Sequence, residues 1–133
     1  MKKLACLALV FQTMAAIPAL AHHTVAYSFE ITKLVALTGT VTAVEWKNPH
    51  VVYRLAVPDA NGVIVNWEIE SRHLQGMRRA GIEPDTIRVG ESITMNVMVA
   101  RDASHRAATA SVVLPTGSTV TLCTVTDGAC PSQ

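Results

Sequence analysis

From residue 35 onward the chain alternates apolar and polar positions with the two-residue period of a β-strand. Val35, Leu37, Gly39, Val41 and Ala43 fall on one face and Thr38, Thr40 and Thr42 on the other, as in a half-buried strand rich in β-branched residues. The phase then flips. Val44 and Trp46 are apolar on what had been the threonine face, which predicts a bulge or sharp bend near Thr42 to Val44. Asn48-Pro49 interrupts the ladder, and Val51, Tyr53, Leu55 and Val57 open a second alternating strand. Pro58-Asp59-Ala60-Asn61-Gly62 reads as the hairpin turn, because Asn-Gly tolerates positive φ, and Val63, Val65, Trp67 and Ile69 follow as a third strand.

At Ser71, a candidate N-cap, the period changes: Leu74, Met77 and Ala80 stand at helical spacing before Gly81 ends a short helix. A connector runs from Ile82 to Gly90. Ile93, Met95, Val97 and Val99 then form a fourth strand and Ala108, Ala110, Val112 and Leu114 a fifth, and Pro115-Thr116-Gly117 turns the chain into a last arm over Thr119 to Cys123. The pattern predicts an all-β fold with one short helix: a five-stranded OB-like barrel in the order β-β-β-α-β-β, plus a C-terminal hairpin arm. An immunoglobulin-like sandwich is the main rival, but it needs about seven strands and has no place for the helix.

The first 21 residues stand outside this pattern. Lys2 and Lys3, the apolar run Leu4 to Ile17 and the small-residue end Pro18-Ala19-Leu20-Ala21 have the three parts of a secretory signal peptide. The apolar run is shorter than a membrane span of about 20 residues, so no membrane insertion is expected after cleavage. The reading is therefore a signal peptide over 1–21 and one OB-like domain with a C-terminal tail over 22–133, delivered to the periplasm. Of the 11 Lys and Arg two leave with the leader, so 9 positive charges face 10 negative ones, a balance that argues against nucleic acid as partner. The mature chain keeps Cys123 and Cys130, which in an oxidising compartment read as a disulfide around an Asp-Gly turn.

Cleavage after Ala21 would give His22 a free α-amine beside its imidazole, and the two could close a chelate ring on one metal ion. His23 adds an imidazole, and His50, at the start of the second strand, could supply a third side chain. Nitrogen donors in that number suit Cu(II), which tops the divalent affinity order, so copper is the expected cofactor if there is one. A solvated leader and a hydrogen-bonded His50 form the plainer alternative; His73 and His105 read as ordinary helix and loop histidines. On the barrel face, Trp46 and Arg54 could present a surface to a saccharide, a peptide or an envelope protein. Trp67 and Met95 are in phase with the core, while Met98 falls on the other face as a soft ligand or surface residue. Glu68 and Glu70 share the polar side of the third strand and are the one paired-carboxylate candidate for hydrolysis, although such pairs are commonly just solvated strand residues. The sequence carries no nucleophile elbow, phosphate loop or dinucleotide fingerprint. These features point to a binding protein rather than an enzyme.

Ala21-His22-His23 with Phe29, Leu37-Thr38-Gly39-Thr40-Val41 leading to Val44-Glu45-Trp46-Lys47-Asn48-Pro49-His50, Asn66-Trp67, and Arg78-Arg79-Ala80-Gly81 before Val89-Gly90 together resemble an uncharacterised family of small exported bacterial proteins, classed as a domain of unknown function. The resemblance implies a periplasmic, OB-like protein and carries no established activity or ligand. This chain departs from it at Thr24, at Ile82 and in its C-terminal cysteine pair.

Overall fold

The computed structural model describes residues 25–123 of the chain. A single turn, α1 (Val25–Ser28), leads into β1 (Phe29–Glu45), followed by β2 (Val52–Pro58), β3 (Ile64–Glu70), α2 (Leu74–Arg79), β4 (Ser92–Ala100), β5 (Arg106–Val113) and β6 (Thr119–Thr121). At 17 residues β1 serves two partners: Phe29 to Thr40 runs along β4, and Thr40 to Glu45 runs along β2. The changeover carries the expected bulge. Val41 faces Leu55 and Ala43 faces Arg54, so Thr42 is the extra residue, and its hydroxyl donates to the Arg54 carbonyl at 3.1 Å.

β2 pairs with β3, β4 with β5 and β5 with β6, all antiparallel, and a three-residue parallel contact between β3 and β5 closes a ring in the order β1-β2-β3-β5-β4. With α2 between β3 and β4 and β6 appended as a hairpin arm, the architecture is the barrel-like, OB-like order expected from the pattern. The hairpin turn between β2 and β3 is built by Asp59, whose Oδ1 accepts the Asn61 and Val63 N–H groups at 2.8 and 2.9 Å, with Gly62 at φ 81°.

Inside the ring, Val41, Tyr53, Leu55, Ile69, Met95 and Val97 are buried, and Met77 of α2 with Ile82 and Ile87 after it completes the core from one end. Desolvation pushes the Tyr53 phenol well above the ordinary range. A second, smaller cluster lies elsewhere, where Phe29, Met98, Ala100, Ala108 and Cys123 pack together. It explains why Ala107, Ala108, Thr109 and Ala110 are four consecutive buried residues of β5: the strand is covered on both sides. Met98, expected as surface or soft ligand, is buried there because the start of β1 and the end of the arm cover its face.

The helix start also differs from expectation. His73, not Ser71, is the N-cap residue, and it makes no side-chain capping bond. Ser71 Oγ bonds Thr109 Oγ1 at 2.7 Å instead, while Asn48 reaches across from the β1–β2 loop to accept the Leu74 N–H at 3.3 Å. Among the described residues no helix is long and apolar enough to cross a membrane.

Candidate functional site

Alternation along β2 and the two residues before it puts Val51, Tyr53 and Leu55 in the core and His50, Val52 and Arg54 on the outside, as the sequence predicts. The register then lines up charges. Arg54 faces Glu68 across β2–β3 and lies beside Ala43, two pairs from Glu45, on β1. Its guanidinium donates through Nη1 to Glu45 Oε1 and through Nη2 to Glu68 Oε2 at 3.0 Å, and Lys47 Nζ also contacts Glu45. Lys47 and, after it, Arg54 hold the Glu45 carboxyl below the usual carboxylate range, and Glu45 with Glu68 raises Arg54 in turn. This row of alternating charge is self-neutralising.

A second set of charges meets where the ring closes. Glu70, the last residue of β3, accepts Arg106 Nη2 on Oε1 at 2.8 Å and turns Oε2 toward His50 Nδ1 at 3.6 Å, an ion-pair rather than a hydrogen-bond distance. The Glu70 carbonyl accepts the Thr109 hydroxyl at 3.1 Å, so both its backbone and its side chain are tied to β5. Next to it the β4–β5 loop folds on itself: Asp102 Oδ1 accepts the Ser104 N–H at 3.0 Å and hydroxyl at 2.6 Å, and Ala103 adopts φ 59°. Ser104, through those two bonds, holds Asp102 below its ordinary carboxylate range. The same loop sets the His105 ring edge-on to Trp67, centroids 5.2 Å apart, while the His105 carbonyl accepts the Glu68 N–H at 2.9 Å.

Of the residues singled out in the sequence, His50 is thus brought beside Glu70, and Arg54 beside Glu68. Trp46 packs partly against the core with its indole Nε1 buried and without a hydrogen-bond partner among the described residues. Trp67 also packs against the core. Glu68 and Glu70 face different cations, Arg54 and Arg106, rather than a shared space. His22, His23 and Cys130 lie outside the described residues; Cys123 ends the arm in the second cluster. Among the described residues no three His, Cys, Asp or Glu side chains are grouped to hold a metal. The described N-terminal end is fixed, however: the Arg101 N–H donates to the Ser28 carbonyl at 3.0 Å and its guanidinium meets Glu30 at 2.7 Å.

Arg106 and Asn48 were not legible as site residues. Arg106 reaches Glu70 only through the parallel β3–β5 contact, in which Glu68 is level with Arg106 and Glu70 with Ala108. Asn48 had a signal, its place in the Trp46 to His50 motif, but the Leu74 N–H that it accepts is 26 positions away.

No curated protein and no solved structure matches this chain. Residues 10–110 match the profile of a family of unknown function, DUF6152. Because the match covers most of the sequence, the chain belongs to the DUF6152 family.

Proposed function

We propose that this protein is an exported periplasmic binding protein that takes one copper ion through its processed N-terminus, with the His22 amine and imidazole, the His23 imidazole and His50 as ligands. The observation that carries the reading is the setting of His50. It sits at the rim of the ring, its side chain partly exposed, with a carboxylate facing Nδ1. Ligand histidines commonly turn one ring nitrogen to a carboxylate and give the other to the metal.

The path of the chain supports it further. Ser28 is bonded to Arg101 at one end of the β4–β5 loop, and Arg106 at the other end touches Glu70, the neighbour of His50. His22 stands three positions before Val25, a reach of about 10 Å when extended. An arm laid along this loop would bring the two N-terminal histidines toward His50.

The alternative, a module that presents Trp46 and Arg54 to a saccharide, peptide or envelope protein, must draw Arg54 away from two carboxylates it already holds. One added residue before His22 separates the two readings: it disrupts chelation by the terminal amine and leaves the face unchanged. The deciding experiment is native mass spectrometry of protein exported through its own leader from copper-supplemented cells. A mass beginning at His22 with one copper, and binding about tenfold weaker or worse in His50→Ala, is the expected result. A correctly processed chain that stays metal-free after Cu(II) is added sinks the reading.

A further inference from the structure

We propose that Glu70 is the positioning residue for His50, fixing which ring nitrogen carries the proton, and that Arg106 holds Glu70 in place. The role of the opposite nitrogen as a copper ligand rests on the function proposed above; the positioning itself does not.

The geometry is that of a brace. The Glu70 backbone is locked by its pairing with Ala108 and by the Thr109 hydroxyl on its carbonyl. Its carboxylate is then shared, Oε1 with Arg106 Nη2 at 2.8 Å and Oε2 with His50 Nδ1 at 3.6 Å. Arg106 begins β5 and is level with Glu68, so the side chain that aims the carboxylate comes from the strand that closes the ring. A carboxylate oxygen has only lone pairs to offer and therefore favours the neutral imidazole with its proton on Nδ1. That tautomer puts the ring's own lone pair on Nε2, the atom a metal would take, and the negative charge makes it a better donor. The loop that carries His50 is held independently, by Asn48 on the Leu74 N–H and by the Val51 N–H on the Arg72 carbonyl at 3.0 Å. Removing the Glu70 carboxylate therefore takes one charged partner from the imidazole while the loop keeps its own anchors.

The test is long-range proton–nitrogen NMR of the metal-free mature protein labelled at histidine nitrogen, above the titration range of imidazole. His50 in the native chain is expected mainly as the Nδ1–H tautomer. In Glu70→Ala the share of the Nδ1–H tautomer should fall, and Arg106→Ala should lie between the two. Glu70→Gln, which keeps the shape and loses the charge, serves if Glu70→Ala does not fold. A native His50 already in the Nε2–H form, or a tautomer ratio unmoved by the Glu70 variants, overturns the proposal. Copper titration of the same proteins reads the other question: Glu70→Ala should bind about tenfold more weakly or worse. A native chain that binds no copper removes the metal reading and leaves the tautomer result to stand or fall by itself.

Discussion

Gly39 lies directly against the Ala56 carbonyl: a Cβ at Gly39 would stand 2.5 Å from that oxygen and 2.8 Å from Val57 Cγ2. Here β1 leaves β4 as sole partner and begins to run beside β2, with Thr40 paired to both Ala56 and Ser92. Because the obstacle is backbone, a methyl group cannot be accommodated by rotating a side chain. Gly39→Ala should cost about 3 kcal/mol, the upper range for overpacking, seen as a lower urea midpoint with little change in slope. An unchanged midpoint would mean that the two strands part easily.

The loop carrying the Trp46 to His50 motif is pinned to α2 by one side chain. Asn48→Ala removes the acceptor of the Leu74 N–H and should destabilise the protein by about 1 kcal/mol, as loss of a helix cap does. Ser71→Ala, at the position the sequence suggests for the cap, should leave the helix start unaffected and instead remove one of the two partners of the Thr109 hydroxyl, which keeps its bond to the Glu70 carbonyl. Amide exchange at Leu74 distinguishes them: faster in Asn48→Ala, unchanged in Ser71→Ala.

Met77 is the fully buried side chain by which α2 enters the core, with Leu74 packed against the same cluster. Met77→Ala should cost about 2 to 5 kcal/mol, because a fully buried side chain leaves a cavity that its surroundings fill only in part. Thermal unfolding followed by circular dichroism measures it; a loss below about 1 kcal/mol would show α2 to be a loosely attached cover.

Acid should weaken the fold through its outer carboxylates. Glu45 is held low by Lys47 and Arg54, and Glu30 by Thr32 and Arg101, each below the ordinary 4.5. A carboxyl depressed in the folded state contributes stability above its unfolded pKa and loses it as pH falls through the lower folded value. Arg54→Met relieves part of the depression at Glu45, so its stability should decline less steeply below pH 4.5 than that of the native chain. Equal slopes in urea midpoint against pH would show that Lys47 alone sets Glu45.

At the alkaline end Tyr53 contributes a loss of stability. Its phenol is raised by burial above the ordinary 10.0, so above that pH the unfolded chain ionises while the folded one does not, and stability falls as pH rises. In Tyr27→Phe, which leaves Tyr53 as the sole tyrosine, the phenolate absorbance should appear only together with unfolding. A phenolate signal at pH 10 to 11 with native circular dichroism would contradict the burial.

Much of this was legible residue by residue. Val51, Tyr53 and Leu55 are inward, and His50 and Arg54 outward, because a strand's side chains alternate whatever it pairs with. The flip of phase at Val44 called for a bulge or bend, and the extra residue Thr42 supplies it by shifting the faces of the residues that follow. The start of β1 at Phe29 was not legible. Glu30 to Leu34 lacks clean alternation, because the β1–β4 register breaks between Phe29 and Leu34 and Glu30 bonds back to Thr32. Buried Met98 was missed for a related reason: periodicity names the face of a strand but not what lies over it.

The sequence by itself determined the order and phase of the strands, the turn at Asn61-Gly62, the short helix and membership in DUF6152, because each depends on residues near one another in the chain. Only the tertiary structure decided which charges meet. His50, Glu70 and Arg106 come together because β3 and β5, 36 positions apart, lie parallel for three residues at the closure of the ring. Such a contact is fixed by the stagger of the whole ring of strands, which no local pattern encodes.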